Sequence, residues 1–140
     1  MTWRWLNGRI VKAIHLKQIQ RHGGGHGTRD EGMLESALAR PQNLAACGEP
    51  TMFEMAASYA FGIARNHPFV DGNKRTAFVS AALFLRMNGQ VLNADTAEAA
   101  LVFLRLAAGE VQEAELADWL RRNASPLDAA SADQTRGPSR

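Results

Sequence analysis

The sequence predicts an all-α domain of about six helices, and three observations support this prediction. Apolar residues make up 46% of the 140-residue chain, and Ala and Leu, which favour helix, dominate over Val, Ile and Tyr. Apolar residues recur at helical spacing in several segments, and residue types that cap helices precede them. A chain of this length forms one ordinary domain.

The first two predicted helices are amphipathic. Asn7 is expected to cap a helix that runs to about His22, and Asp30 is expected to cap a second one. Pro41 is expected to end the second helix, because proline lacks the backbone donor that a helix interior needs. The glycine-rich segment 23–27 lies between the two helices and is expected to be a flexible loop. It is not a phosphate loop, since no Gly-Lys-Ser/Thr follows it.

Two central helices are expected to be buried on most sides. A capping-box pattern at Thr51 opens the first of them. That helix should end before Pro68, because proline disfavours helical geometry in the residue that precedes it. Asn73 is expected to cap the next helix, which runs to about Asn88. Both helices are rich in apolar residues on most faces, which is typical of core helices.

The end of the chain differs from the rest. Two more amphipathic helices are expected, at about 96–108 and 112–123. After Asn123 the sequence has almost nothing to bury, so residues 124–140 are predicted to be a disordered tail. The predicted division is therefore a folded domain at 1–123 and a tail at 124–140.

Charge and composition exclude several classes of protein. The formal net charge is +2, which is not typical of a protein that binds nucleic acid by charge alone, and we expect no direct DNA binding. Residues 1–75 carry ten Lys/Arg against six Asp/Glu, or +4, so a local basic site fits the first half. The single cysteine excludes a disulfide within the chain. With no signal peptide or long apolar run, we expect a cytoplasmic protein that does not contact membranes.

The loop between the two central helices is dense in chemically useful side chains. Lys74 and Arg75 lie in the first turn of a helix, where cations oppose the helix dipole by about 0.3–1 kcal/mol each. Such a helix N-terminus is arranged to hold an anion, and phosphate is the obvious one. Asp71 beside it is placed to ligate Mg²⁺, and His67 can act as a general base. Phe69 is expected to anchor the loop in the core.

Each of these signals is weak when taken alone. His67 could be an ordinary surface or capping residue at a helix end. Asp71-Gly72-Asn73 could be a simple turn, and the two cations could form a solvated patch. Their joint spacing in nine residues favours a functional site on a rigid support.

The segment His-Pro-Phe-Val-Asp-Gly-Asn-Lys-Arg at residues 67–75 resembles the active-site motif His-Pro-Phe-x-Asp-Gly-Asn-x-Arg of the Fic family. Its continuation Asn-Lys-Arg-Thr-Ala resembles the death-on-curing (Doc) branch of that family. Segments 29–38, 82–89 and 107–110 resemble other parts of Doc proteins. The resemblance covers about residues 7–123, which is essentially the whole predicted domain.

The resemblance implies a single Fic-like domain and a role for each motif residue. His67 matches the histidine that deprotonates the target hydroxyl, and Asp71 matches the acidic residue that binds Mg²⁺. Gly72 and Asn73 match loop residues whose backbone and side chain hold phosphate. Arg75 matches the arginine that pairs with phosphate.

Lys74 distinguishes between two activities within the family. AMP-transferring Fic proteins have Gly at this position, whereas the Doc branch has Lys and is thought to bind the nucleotide in the opposite direction. The resemblance therefore implies a kinase that uses ATP and Mg²⁺ to phosphorylate a Ser/Thr hydroxyl on a translation factor similar to elongation factor Tu, which arrests translation. Two alternatives stay open, namely AMP transfer to a protein hydroxyl and a catalytically idle module that binds an antitoxin.

The resemblance also implies a partner. No inhibitory helix of the self-restrained Fic type is visible in the sequence, so restraint is expected from the cognate antitoxin of a type II toxin–antitoxin pair. Its C-terminal segment would fold into a helix on this chain. We expect an apolar groove near segment 23–27 to receive it, with Trp3 and Trp5 as candidates for the rim. Packing of these two rings against the domain is the favoured alternative.

Overall fold

The computed structural model describes residues 2–127, which form six helices and two short strands. In chain order they are α1 (Gly8–His22), α2 (Glu31–Cys47), α3 (Met52–Asn66), α4 (Asn73–Met87), β1 (Gln90–Leu92), α5 (Thr96–Ala107), α6 (Glu113–Arg122) and β2 (Ala124–Pro126). The predicted all-α class with about six helices is confirmed. Among the described residues, no helix is both long enough and apolar enough to span a bilayer.

The middle of the core is α3. It packs against α2, α4 and α6, and residues on most of its sides are buried, including Met55, Ala56 and Ile63. The backbones of α3 and α2 approach closely, because a Cβ atom built on Gly62 would lie 3.0 Å from the Cα atom of Ala37. The α3–α4 hairpin is thus supported on several sides, and its connecting loop projects from a rigid base.

The starts of three helices follow their local sequence signals. The Asn7 side chain accepts a hydrogen bond from the N–H of Ile10, and the Asp30 side chain accepts one from Met33. Thr51 opens α3 with a complete capping box. Each side chain satisfies a backbone donor that has no partner inside its helix, so these predicted caps are confirmed.

The predicted end of α2 at Pro41 is wrong. Pro41 lies inside α2, which continues to Cys47. A proline in a helix interior costs about 3 kcal/mol, because it removes one hydrogen bond and crowds the preceding turn. Pro41 is itself buried, and the helix packs closely along α3. Tertiary packing therefore outweighs the local penalty on which the prediction relied.

The N-terminal segment is part of the fold. The hydroxyl of Tyr59 accepts a hydrogen bond from the N–H of Leu6 at 3.0 Å and donates to its carbonyl at 3.4 Å. Burial raises the pKa of Tyr59 to about 12, although the backbone hydrogen bond with Leu6 acts in the opposite direction. The ring of Trp5 stacks on Phe84 with centroids 6.0 Å apart, and Trp3 also packs against the core. Both tryptophans therefore pack against the domain, as the favoured alternative predicted.

The chain remains ordered past Asn123. β1 and β2 pair antiparallel, with Val91 opposite Ser125, and the N–H of Leu127 donates to the carbonyl of Gly89 at 2.9 Å. The prediction that a tail begins at residue 124 is therefore wrong for residues 124–127, which a ladder with β1 holds in place. The rest of the predicted tail, residues 128–140, lies outside the described residues.

Candidate active site

The loop between α3 and α4 is anchored by Phe69. α3 ends at Asn66, and His67 follows in a left-handed conformation with φ 50°, while its N–H donates to the carbonyl of Ile63 at 3.3 Å. The chain then turns inwards, and Phe69 is 1% exposed. The predicted helix end before Pro68 and the predicted anchor are both confirmed.

The sequence pattern predicted that Asn73 caps α4, and this prediction is wrong. The cap position is Gly72, in a left-handed conformation with φ 77°, and Asn73 is the first residue of the helix. The Asn73 side chain reaches back instead. Its Oδ1 accepts from the N–H of Phe69 at 3.0 Å, and its Nδ2 donates to the Phe69 carbonyl at 3.0 Å. Because Phe69 is buried, its backbone groups need a protein partner, and Asn73 supplies it.

His67 is exposed beside this bridge. Its Nδ1 lies 3.5 Å from Nδ2 of Asn73, at the limit of a hydrogen bond. Arg29 holds the backbone on the other side, since its guanidinium donates to the carbonyls of His67 at 2.7 Å and Asn66 at 2.9 Å. A cation at a helix C-terminus is favourable. Arg29 therefore fixes the point from which the His67 side chain leaves the backbone.

The start of α4 presents positive charge and free donors. The first backbone N–H groups of a helix have no partner within it, and here they belong to Asn73, Lys74 and Arg75. The first turn contains no acidic residue, and both cationic side chains are exposed. Within residues 2–127 neither of them forms an ion pair. This end of α4 can bind an anion through both its backbone and its side chains.

A cleft of about 570 Å³ opens beside the start of α4 and is bounded on the other side by α5. It brings together five predicted site residues, namely Asp71, Gly72, Asn73, Lys74 and Arg75. Apolar residues complete its wall, including Phe78 and Phe103, whose rings meet edge to face with centroids 5.3 Å apart. His67 is not part of this lining, and it approaches the cleft only through its contact with Asn73. The cleft is thus polar and cationic near α4 and apolar towards α5.

Segment 23–27, the glycine loop, lies directly against the motif loop. Backbone bonds join Val70 to Gly27 at 3.1 Å and Arg29 to Pro68 at 2.7 Å, so the two loops pair over a short stretch. The N–H of Gly25 donates to Oδ2 of Asp71 at 3.0 Å. The glycine loop therefore supports the site, a role that its sequence alone did not indicate.

Like the glycine loop, His15 supports the site although the sequence-based prediction did not include it. It is 5% exposed, and its ring lies parallel to that of Phe69 with centroids 4.0 Å apart. Its Nε2 lies 2.8 Å from the carbonyl oxygen of Asp71. A signal was present in the sequence, because His15 follows Ile14 on the buried face of α1, and a histidine on an apolar face needs a polar partner.

The two tryptophans lie too far away to form the rim of a groove near the glycine loop. Trp5 stacks on Phe84, in the last turn of α4, and Arg4 bonds to Asn88 just beyond it. The glycine loop contacts the opposite end of the same helix, around Gly72. Gly72 and Phe84 are twelve residues apart, which at 1.5 Å per residue is about 18 Å along the helix. The prediction that Trp3 and Trp5 form the rim of a groove near the glycine loop is therefore wrong.

Comparison with known proteins identifies the family of this chain. The model of the Fic/DOC family matches residues 5–85, which is more than half of the chain and includes both loops of the site. The chain is 45% identical over 112 residues to a protein of Escherichia phage P1 named protein kinase Doc, and the match covers 79% of this chain and 87% of that protein.

A second relative, named toxin Doc, comes from Mycolicibacterium smegmatis. It is 45% identical over 75 residues, and the match covers 52% of this chain and 58% of that protein. The resemblance that the motif indicated is therefore confirmed, and the chain belongs to the Fic/DOC family.

Proposed function

We propose that this chain is a Doc-like toxin that transfers the γ-phosphate of a nucleoside triphosphate, ATP, to a Ser/Thr hydroxyl on a protein. The observation that carries the proposal is the convergence of Asp71, Lys74, Arg75 and the free N–H groups of α4 on one cleft. Phosphoryl transfer needs positioning and charge stabilisation more than covalent chemistry by the protein. A cationic helix N-terminus beside a carboxylate supplies both.

The cleft suits a nucleotide. Its volume of about 570 Å³ lies in the range of small-molecule sites, which are roughly 300–1,000 Å³. The phosphates would bind at the start of α4, with Arg75 and Lys74 as charged donors. The apolar wall includes Phe78, which is partly exposed, and offers a surface on which the base can pack.

Asp71 fits a magnesium ion that arrives with the nucleotide. One of its carboxylate oxygens accepts from Gly25, and among the described residues Oδ1 has no hydrogen-bonding partner. Mg²⁺ is usually held by one or two carboxylates together with phosphate oxygens and water, and a single carboxylate next to a phosphate site meets that requirement. When bound, the ion would neutralise charge on the phosphates.

His67 is proposed as the general base. Its ring is exposed and can meet a hydroxyl group that a target protein presents. His67 takes the proton of that hydroxyl while the hydroxyl oxygen attacks the γ-phosphorus. The bond from the γ-phosphorus to the bridging oxygen breaks, and the nucleoside diphosphate leaves.

Two further features favour phosphate transfer over AMP transfer. Lys74 occupies the position where AMP-transferring Fic proteins have Gly, and a lysine side chain there restricts how the loop can wrap a nucleotide. The relative from phage P1 is named a protein kinase. AMP transfer stays the second candidate, because the nucleotide could bind the same cleft in the opposite direction. The complete set of His67, Asp71 and Arg75 disfavours an idle binding module.

By analogy with the Doc toxins, we propose a translation factor similar to elongation factor Tu as the target and a cognate antitoxin as the partner. The antitoxin would cover the site with a helical C-terminal segment. Val70 is 54% exposed at the junction of the motif loop and the glycine loop, and it offers an apolar contact for that segment. A cytoplasmic location follows from such a target.

Cell-free translation tests this proposal. The purified chain with ATP and Mg²⁺ should arrest protein synthesis, and His67→Ala should remove the arrest, because loss of a general base lowers a rate by about 10²–10⁴-fold. His26→Ala is the matched control, since His26 is another exposed histidine with no proposed role. Arrest that persists in a folded His67→Ala protein would exclude His67 as the base.

A further inference from the structure

Asp71 is held at two points by groups outside the motif. Its backbone carbonyl lies 2.8 Å from Nε2 of His15 on α1, and its carboxylate Oδ2 accepts from the N–H of Gly25 at 3.0 Å. A carbonyl oxygen can only accept a hydrogen bond, so Nε2 of His15 carries a proton and donates it. One contact fixes the backbone of Asp71 and the other fixes its side chain.

The His15 contact is tightly constrained. The ring is 5% exposed and stacks on Phe69 with an interplanar angle of 7°, and Asn73 in turn holds the backbone of Phe69. The ring also lies next to Gly72, because a Cβ atom built there would be in ordinary van der Waals contact with Cδ2 of His15, at 3.7 Å. The donor therefore reaches Asp71 from a fixed direction.

The Gly25 contact depends on the absence of side chains. A Cβ atom on Gly25 would lie 2.7 Å from Cγ1 of Val70, closer than such atoms can approach. Gly24 has φ 116°, which side chains disfavour, and a Cβ atom there would lie 3.2 Å from Cβ of Asp71. The two glycines let the backbone amide come within bonding distance of the carboxylate.

We propose that His15 and Gly25 are positioning residues that orient Asp71 towards a divalent cation bound together with the nucleotide phosphates. This inference rests on the proposed function. The amide of Gly25 occupies Oδ2 and leaves Oδ1 for the cation, while His15 keeps the backbone from rotating the carboxylate away. Groups that orient a metal ligand typically change metal affinity by about 10–100-fold when they are lost.

Manganese binding tests the proposal without measuring catalysis. Mn²⁺ has an electron paramagnetic resonance signal that falls on binding, so its affinity for the full chain with the non-hydrolysable nucleotide AMP-PNP is measured as the further loss of signal relative to Mn²⁺ and AMP-PNP without protein. His15→Phe keeps an aromatic ring on Phe69 but removes the donor, and it should weaken Mn²⁺ binding by about tenfold. His15→Gln places an amide N–H near the position of Nε2 and should bind close to the wild-type affinity.

Three further variants isolate the effect of these contacts on Mn²⁺ affinity. Tyr59→Phe also removes a buried side-chain hydrogen bond to the backbone, at Leu6, and it should leave Mn²⁺ affinity unchanged. Gly25→Ala should weaken binding, and the double variant Gly25→Ala/Val70→Ala should recover part of the loss, because the Cγ1 atom that the new methyl group meets is gone. This pair tests the proposal even if the His15 variants do not fold.

Equal Mn²⁺ affinity in wild type, His15→Phe and Gly25→Ala would overturn the positioning role and leave the proposed function standing. Equal weakening by His15→Phe and His15→Gln would also overturn the role of the donor. If the wild-type chain binds no Mn²⁺ with the nucleotide, the cation role of Asp71 fails, and this proposal fails with it.

Discussion

Replacement of Asn73 by Ala should be strongly destabilising, even though Asn73 lies in a loop-to-helix junction. The side chain is 7% exposed and makes two hydrogen bonds to the buried backbone of Phe69, each 3.0 Å long. Alanine leaves one buried N–H and one buried carbonyl without a partner, at about 1–3 kcal/mol each. Some relaxation of the loop reduces the sum, so we expect a loss of roughly 2–5 kcal/mol.

Urea denaturation followed by circular dichroism measures this loss. In a separate thermal melt, the melting temperature of a chain of this size should fall by about 4 °C for each kcal/mol of lost stability, or roughly 8–20 °C in total. Asn73→Asp keeps the acceptor for the Phe69 N–H and should lose less. Asn93→Ala is the matched control, because Asn93 is exposed and, among residues 2–127, its side chain donates only to the Ser125 hydroxyl. If Asn73→Ala and Asn93→Ala unfold at the same urea concentration, the bridge to Phe69 does not hold the loop.

Four further outcomes are expected. Arg75→Ala should reduce nucleotide-dependent activity yet raise the stability of the ligand-free protein by about 0.3–1 kcal/mol, because a cation leaves the positive end of the helix dipole; a thermal melt in which it is less stable than wild type would assign Arg75 a structural role. The free energy of unfolding in urea should be about 1–3 kcal/mol lower for a chain truncated after Asn123 than for one truncated after Leu127, since only the first lacks β2. Equal urea midpoints for the two chains would show that β2 does not stabilise the fold. The Tyr59 pKa is raised to about 12 from 10, so its contribution to stability is complete below pH 10 and is lost as the pH rises towards 12; Tyr59→Phe should lack this component in melts across that range, and an unchanged pH profile would contradict the assignment. Co-expression of a neighbouring antitoxin gene should restore growth of cells that produce this chain, and growth arrest that no adjacent gene relieves would rule out the toxin–antitoxin assignment.

Local signals predicted the helices well, because caps and apolar spacing act within a few residues. Asn7, Asp30 and Thr51 each cap the helix expected of them. Pro41 misled the prediction, since the local penalty of a proline is offset by burial against residues that are distant in sequence. Asn73 misled it for a different reason, because its side chain bonds to the buried backbone of Phe69, four residues earlier, and does not cap α4.

The motif also predicted most of the candidate site, but the supports of the site come from elsewhere in the chain. His15 and Asp71 are separated by 56 positions, and Gly25 and Asp71 by 46. No spacing rule connects residues so far apart when they belong to different helices and loops. The pairing of β1 with β2 was missed for the same reason, because α5 and α6 lie between Val91 and Ser125 in the chain.

The most direct test of the proposed kinase activity is the intact mass of a purified elongation factor after incubation with this chain, ATP and Mg²⁺. We expect the elongation factor to gain one phosphate with the wild-type chain and none with His67→Ala. A gain of one AMP would show that the nucleotide binds in the opposite direction and that the kinase assignment is wrong. An unchanged mass in the presence of a folded, nucleotide-binding wild-type chain would contradict the proposed target.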